Sequence, residues 1–127
     1  MAEILVIEDD DLTRSFIKTV LESDGHRVRS AGDGMDGLME FKRIPADLVI
    51  CDLIMPVRDG VTTIGELLEL APGLPVIAIT GGGADCSQHQ LLAVAKSGGA
   101  CRTLAKPFAP PELLAAVGDA LRGGAAG

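Results

Sequence analysis

The sequence predicts an α/β fold in which five strands alternate with five helices around one parallel sheet. Three short apolar segments are continuous rather than alternating, which is typical of strands buried on both faces of a parallel sheet. These segments are Ile4–Ile7, Leu48–Cys51 and Val76–Ile79. The intervening segments carry apolar residues three and four positions apart, as amphipathic helices do. Such alternation favours right-handed crossovers with helices on both sides of the sheet.

Two weaker segments complete the predicted sheet. The segment Arg27–Ser30 alternates in character, which suggests an edge strand, and Cys101–Ala105 is the fifth strand. Five parallel strands connected in this way fit the flavodoxin-like, doubly wound order 2-1-3-4-5.

The helices are bounded by residues that interrupt the apolar spacing. Asp24-Gly25 ends the first helix, Pro45 follows the second, and Pro110-Pro111 is a favourable first turn for the last. The second helix is predicted at residues 37–43 and the fourth at residues 88–97. In the other three helices the apolar residues with helical spacing are, in the first, Leu12, Phe16, Ile17, Val20 and Leu21; in the third, Val61, Ile64, Leu67 and Leu68; and in the last, Leu113, Leu114, Val117 and Leu121. We expect the residues of the last helix to face the core.

Length and composition indicate a single globular domain. The chain has 127 residues, of which 47% are hydrophobic, so it can bury a real core. We expect the domain to span residues 1–122 and residues 123–127 to form a frayed Gly/Ala-rich tail. No stretch of the sequence indicates an output domain, so we expect a protein that signals by docking.

The charge distribution argues against nucleic acid and membranes as partners. The net charge is −7, and the eleven basic residues are scattered rather than clustered. No apolar run approaches the roughly 20 residues of a membrane-spanning helix, and the N-terminus lacks the pattern of a signal peptide. The three cysteines show no CxxC spacing, so neither a disulfide framework nor a zinc site is indicated. We therefore expect a cytoplasmic protein.

Charged and polar residues follow four of the predicted strands. The first strand is followed by Glu8-Asp9-Asp10, the third by Asp52, the fourth by Thr80 and the fifth by Lys106. Sites in open parallel sheets form at the carboxyl ends of the strands, so we expect these side chains to lie together.

This set of residues has a definite chemistry. Carboxylates about 5 Å apart repel by roughly 3 kcal/mol per pair at an effective dielectric constant of about 20. A hard divalent cation such as Mg²⁺ would offset that repulsion, and Lys106 adds a fixed positive charge. A carboxylate can attack phosphorus to form an aspartyl phosphate, and phosphoryl transfer requires positioning and charge neutralisation. The strand ends supply both.

Each of these residues also has a structural interpretation. Strand-end acids often cap helices or shape turns, and we expect Asp11 to cap the first helix and Asp59-Gly60 to form a turn. For Asp9 or Thr80 alone, a structural role is as good an explanation as a functional one. The four strand ends together favour a functional site.

These motifs resemble the receiver domain of bacterial two-component response regulators. Residues 4–10 are similar to the opening strand and acidic pair of that family, and residues 47–56, closed by Asp59-Gly60, to its phosphoacceptor segment. Thr80 and Lys106-Pro107-Phe108 match its remaining signature positions. The resemblance covers residues 3–122, and five motifs in the correct order are specific.

The resemblance implies a role for each site residue. Asp52 is the phosphoacceptor, while Thr80 and Lys106 contact phosphoryl oxygens. The metal, Mg²⁺ or Mn²⁺, is bound by Asp9, by Asp52 and by the backbone carbonyl of Ile54, and Glu8 acts through a water. The resemblance further implies a cis peptide bond between Lys106 and Pro107. The implied partners are a histidine kinase or histidine phosphotransfer protein and an unknown downstream protein.

Two positions depart from the family pattern. Thr103 stands where the family usually has an aromatic residue that reorients on activation, and residues 81–84 are unusually Gly-rich. Phosphoacceptor chemistry does not depend on either position. The usual route by which the signal spreads through the domain does depend on them.

Three other functions share some of these sequence features. Gly32-Asp33-Gly34-Met35-Asp36-Gly37 fits GxGxxG, but it follows the second strand and carries acids where a pyrophosphate would bind. An aspartyl-nucleophile phosphatase commonly has a second Asp two residues after the nucleophile, where this chain has Ile54. A receiver that no longer accepts phosphate is the third alternative, and the complete set of site residues weighs against it.

Overall fold

The computed structural model describes residues 2–53, 60–80 and 101–126, and these residues form a parallel sheet of five strands. The strand order is β2-β1-β3-β4-β5, which confirms the predicted order and the edge position of the second strand. The strands are β1 (Glu3–Ile7), β2 (Arg27–Ala31), β3 (Leu48–Asp52), β4 (Val76–Thr80) and β5 (Cys101–Ala105).

Four helices are present among the described residues. They are α1 (Asp11–Ser23), α2 (Gly34–Arg43), α3 (Gly60–Leu70) and α4 (Pro110–Ala126). The helix predicted at residues 88–97 lies outside the described residues. Helix α4 continues to Ala126, so the fraying of residues 123–127 stays a prediction. None of the helices in the described ranges is long and apolar enough to cross a bilayer.

Alternate residues of the central strands pack into two separate cores. On one face, Leu5 and Cys51 pack with residues of α2 and α3. On the other face, Ile4 and Ile50 pack with residues of α1 and α4. This two-sided burial is the reason why β1, β3 and β4 are continuously apolar.

Helix α1 buries only part of its apolar spacing. Ile17 and Leu21 are buried, but Leu12 is 82% exposed and Phe16 is 38% exposed. Both residues line a pocket with Lys106, Pro107 and Phe108, which follow β5 at the carboxyl edge of the sheet. The apolar spacing therefore indicates the helix correctly, but it does not by itself show which residues are buried.

Helix α2 begins at Gly34, three residues before its predicted start at Gly37. The Asp33 carboxylate accepts a hydrogen bond of 2.8 Å from the Asp36 backbone N–H, which caps the helix. A Cβ atom on Gly37 would lie 2.4 Å from Ile7 Cδ1, so this glycine allows α2 to pack closely on β1. The GxGxxG segment thus forms the capped first turn of a closely packed helix. The Asp33 carboxylate occupies the N-terminal end of this helix, where a phosphate would otherwise bind.

Candidate functional site

The sheet brings the predicted site residues to one edge. In the register, Ile7 is opposite Cys51, Asp52 is opposite Ile79, and Thr80 is opposite Ala105. The residues that follow β1 and β5, and those that end β3 and β4, therefore meet at the carboxyl edge. This confirms the placement expected from the strand ends.

Three carboxylates form the centre of this edge. One ligand atom each from Glu8, Asp9 and Asp52 lies within 4.8 Å of the other two. Glu8 is fully buried and Asp52 is 4% exposed, whereas Asp9 is exposed to solvent. The cluster is therefore open to solvent on the Asp9 side.

The Lys106 ammonium lies between the two buried carboxylates. Its Nζ atom is 3.1 Å from Asp52 Oδ2, to which it donates a hydrogen bond, and 3.0 Å from Glu8 Oε1, with which it forms an ion pair. Burial lowers the pKa of Lys106, but its contacts with Glu8 and Asp52 outweigh burial and the net pKa is raised. Lys106 is thus a permanent positive charge. The peptide bond that joins it to Pro107 is cis, as the resemblance implied.

Glu8 is the carboxylate whose protonation is most strongly altered. Burial, reinforced by the neighbouring Asp52, raises the pKa of Glu8 to about 7, although the Asp10 N–H and Lys106 act in the opposite direction. The Asp10 backbone N–H donates to Glu8 Oε2 at 3.1 Å. Glu8 therefore holds a proton more readily than an ordinary glutamate does.

The acidic run that follows β1 divides into residues with different roles. Asp10, and not the predicted Asp11, caps α1, because its Oδ2 accepts hydrogen bonds from Thr13 N at 2.8 Å and from Thr13 Oγ1 at 2.6 Å. These hydrogen bonds lower the pKa of Asp10. Asp11 instead forms an ion pair with Arg14. The first turn of α1 thus uses Asp10 and Asp11, which leaves Asp9 for the cluster.

The start of α3 fixes the backbone at Asp52. The Gly60 N–H donates to the Leu53 carbonyl at 3.0 Å, and a Cβ atom on Gly60 would lie only 2.1 Å from the Asp52 carbonyl oxygen. No side chain fits in that space. The glycine that the sequence assigned to a turn therefore permits a helix to approach the end of β3.

The donor set suits a hard divalent cation. All three groups are carboxylates, and among the described residues they outnumber the ammonium groups at the cluster, where Lys106 supplies one positive charge. Oxygen donors of this type are those that Mg²⁺ and Mn²⁺ prefer. The residues therefore fit the metal that the sequence predicted.

Some predicted participants are only partly described. Thr80 ends β4 beside Asp52, and its side chain lies outside the described atoms. Ile54, whose carbonyl was predicted to bind the metal, and Asp59 lie outside the described residues.

Sequence reasoning did not single out Arg14, whose guanidinium contacts the Glu8 backbone. A basic residue three positions after Asp11 on a helix was the available signal.

Comparison with known proteins identifies the family. Residues 4–118 match the response regulator receiver domain, and the chain belongs to this family. It is 29% identical over 119 residues to the chemotaxis protein CheY of Halobacterium salinarum, covering 94% of this chain and 96% of that protein. It is 36% identical over 122 residues to the KDP operon transcriptional regulatory protein KdpE of Escherichia coli, covering 96% of this chain and 52% of KdpE.

A solved structure supports the same assignment. The CheY-like response regulator receiver domain protein from Methanospirillum hungatei has a TM-score of 0.90 at 25% identity, covering 99% of this chain and 98% of that one. The chain spans nearly all of the archaeal CheY but about half of KdpE. The protein is a response regulator receiver domain with a phosphoacceptor role in two-component signalling.

Proposed function

We propose that Asp52 accepts a phosphoryl group from a phosphohistidine in a Mg²⁺-dependent reaction. The donor is a histidine kinase or a histidine phosphotransfer protein, and phosphorylation changes the affinity of the chain for a downstream protein. The observation that carries the proposal is the position of Asp52, which lies 3.1 Å from the Lys106 ammonium and beside two further carboxylates.

The transfer exchanges one bond for another at phosphorus. A carboxylate oxygen of Asp52 attacks the phosphorus atom and forms an O–P bond, while the P–N bond to the donor imidazole breaks. The imidazole nitrogen that leaves takes up a proton. Lys106 offsets negative charge on the phosphoryl oxygens, and we assign the Thr80 hydroxyl, at the end of the neighbouring strand, to the same role.

The proposed cation ligands are Asp9, Asp52 and the Ile54 backbone carbonyl, with Glu8 acting through a water. When bound, Mg²⁺ or Mn²⁺ neutralises charge on the phosphoryl group and the attacking carboxylate. The exposure of Asp9 supports an entry route from solvent, and the burial of Glu8 and Asp52 supports a strong local field.

An apolar surface beside the site supports a protein as the phosphodonor. Leu12, Phe16, Pro107 and Phe108 line a pocket of about 350 Å³ together with Lys106 and Thr13. The Phe16 and Phe108 ring centroids are 6.0 Å apart. Exposed apolar side chains next to a charged site are typical of surfaces that bind another protein. A small phosphodonor alone would not require them.

The proposed chemistry takes place only on this chain's own carboxylate. The domain catalyses its own phosphorylation and dephosphorylation and turns over no separate substrate. It acts in the cytoplasm and signals by docking on another protein rather than on nucleic acid or membrane.

The test is phosphorylation by acetyl phosphate and Mg²⁺, followed by intact mass. The wild type and the control variant Asp119→Asn, at an exposed position on α4, should each gain one phosphoryl group. Asp52→Asn should gain none while its circular dichroism spectrum stays native, because an amide is a poor nucleophile.

Each alternative function gives a different result. Multiple-turnover hydrolysis of phosphomonoesters would indicate a phosphatase, whereas slow release of phosphate after labelling by acetyl phosphate is expected of the domain's own dephosphorylation. No reaction of the wild type would indicate a receiver that no longer accepts phosphate. Full labelling of Asp52→Asn would show that another carboxylate is the acceptor.

A further inference from the structure

We infer that Arg14 is a positioning residue for the cation site, because it fixes the peptide group that joins Glu8 to Asp9. The inference rests on the proposed function, since it concerns how well that site binds Mg²⁺. It assigns a role to a side chain that belongs neither to the carboxylate cluster nor to the reacting groups.

Arg14 reaches back from the first turn of α1 to the end of β1. Its Nη1 atom donates a hydrogen bond of 2.9 Å to the Glu8 carbonyl oxygen, and its Nη2 atom donates to Asp11 Oδ1. The Arg14 side chain is 24% exposed, whereas that of Asp11 is 85% exposed. Both Nη atoms of the guanidinium are thus bound, Nη1 to the backbone of the site and Nη2 to an exposed carboxylate.

The Glu8 carbonyl lies where the sheet no longer fixes the backbone. The last paired residues of β1 and β2 are Ile7 and Ala31, and the Glu8 N–H makes one further bond of 3.0 Å to the Ala31 carbonyl. Beyond that bond the chain turns into α1. Arg14 binds the carbonyl at this turn, which sets the plane of the Glu8–Asp9 peptide and the direction in which Asp9 leaves the backbone.

Positioning and electrostatics predict opposite results for Mg²⁺ binding. If Arg14 acted only as a nearby positive charge, its removal would tighten binding of a divalent cation. If it orients a ligand, its removal should weaken binding, and groups that orient metal ligands typically contribute about tenfold or more to affinity. The direction of the change therefore separates the two roles.

The experiment compares Arg14→Ala and Arg14→Lys with the wild type. Mg²⁺ affinity is measured by calorimetry or by NMR titration, and the Asp9 amide ¹⁵N shift is measured in metal-free protein, since that shift reports a hydrogen bond to the preceding carbonyl. Arg122→Ala is the matched control, because it removes an exposed Arg–Asp pair with the same three-residue spacing from α4.

We expect Arg14→Ala to move the Asp9 nitrogen shift and to weaken Mg²⁺ binding by about tenfold. Arg14→Lys, which keeps the charge but loses the planar fork, should weaken binding by less, and Arg122→Ala should change neither quantity. If Arg14→Ala does not fold, Arg14→Lys decides the question.

Two results would overturn the inference. One is an unchanged Asp9 nitrogen shift in the Arg14 variants, and the other is Mg²⁺ binding as tight as in the wild type or tighter. Failure of the wild type to bind Mg²⁺ would instead contradict the proposed function. The Asp9 nitrogen shift would still show whether Arg14 orients the Glu8–Asp9 peptide.

Discussion

Glu8 is the residue at which the needs of folding and of cation binding conflict most directly. Its carboxylate is fully buried next to Asp52, and its compensating charge is the Lys106 ammonium at 3.0 Å. Lys106 also forms an ion pair with Asp52, so its charge is divided between the two carboxylates. A proton on Glu8 relieves this conflict in the free protein, and a bound cation would relieve it in the loaded protein.

The pKa of Glu8 predicts a pH-dependent stability in metal-free buffer. The folded-state pKa is about 7, against 4.5 for the ordinary group, so the folded protein binds more protons between these values. The contribution of Glu8 to the free energy of unfolding is therefore complete below about pH 4.5, and it is lost as the pH rises towards 7. We expect a loss on the order of 1 to 2 kcal/mol, reduced by solvent screening at the open edge.

The measurement is urea unfolding followed by circular dichroism, because the chain has no Trp or Tyr. Wild type and Glu8→Gln should be similarly stable at pH 5, where Glu8 is protonated, and the variant should be more stable at pH 7.5. Parallel stability curves for the two proteins across this range would contradict the assigned pKa.

The sequence predicted the members of the site better than their division of roles. Strand ends are visible as the points where apolar segments stop, which was enough to find Glu8, Asp9, Asp52 and Lys106. Which acid caps α1 depends on where the backbone turns, and a run of four acidic residues leaves several choices. The contact of Arg14 with the Glu8 backbone depends on the same turn, so it could not be derived from spacing alone.

At the scale of elements, α3 constrains the strand that carries Asp52. The helix begins at Gly60, whose Cα lies so close to β3 that a Cβ would meet the Asp52 carbonyl oxygen at 2.1 Å. The contacted atom is backbone, so it cannot move aside as a side chain could. Asp52 is therefore positioned by its own strand and by the N-terminal end of the next helix.

Two glycines of α3 should respond in opposite ways to alanine. Gly60→Ala should destabilise the protein by roughly 2 kcal/mol or more and slow phosphorylation, since it displaces the backbone at Asp52. Gly65→Ala should stabilise it by about 0.5 to 1 kcal/mol, since a Cβ there meets no atom within 4 Å and alanine favours the helix. Urea unfolding and the rate of acetyl phosphate labelling measure both effects. Equal destabilisation by the two variants would contradict this account.

The sequence predicted elements well where they are buried and less well at their ends. The apolar periodicity of α1 indicated the helix, but it did not show that Leu12 and Phe16 are exposed, because periodicity carries no information on which part of a helix the sheet covers. The start of α2 was missed because its first turn contains two glycines, which are poor helix formers, and depends on the cap at Asp33.

At the scale of the whole molecule, the fold concentrates negative charge where it is useful. The protein carries a net charge of −7, and the sheet register gathers three of its carboxylates at one edge. The two apolar cores occupy the faces of the sheet and leave that edge for polar residues. The stability of the cores offsets the repulsion that the site imposes on the folded state.

Mg²⁺ should therefore stabilise the folded protein by specific binding. A ligand at ten times its dissociation constant stabilises by about 1.4 kcal/mol, which corresponds to a rise of roughly 5 °C in the melting temperature of a domain of this size. The comparison is made at matched ionic strength with NaCl, because screening of the net charge alone would also raise stability. Asp9→Ala should lose most of the Mg²⁺-specific rise, and its metal-free form should be at least as stable as the wild type, because one repulsive carboxylate is gone. A rise that is equal in NaCl, or that persists undiminished in Asp9→Ala, would show that general screening rather than the carboxylate cluster is responsible.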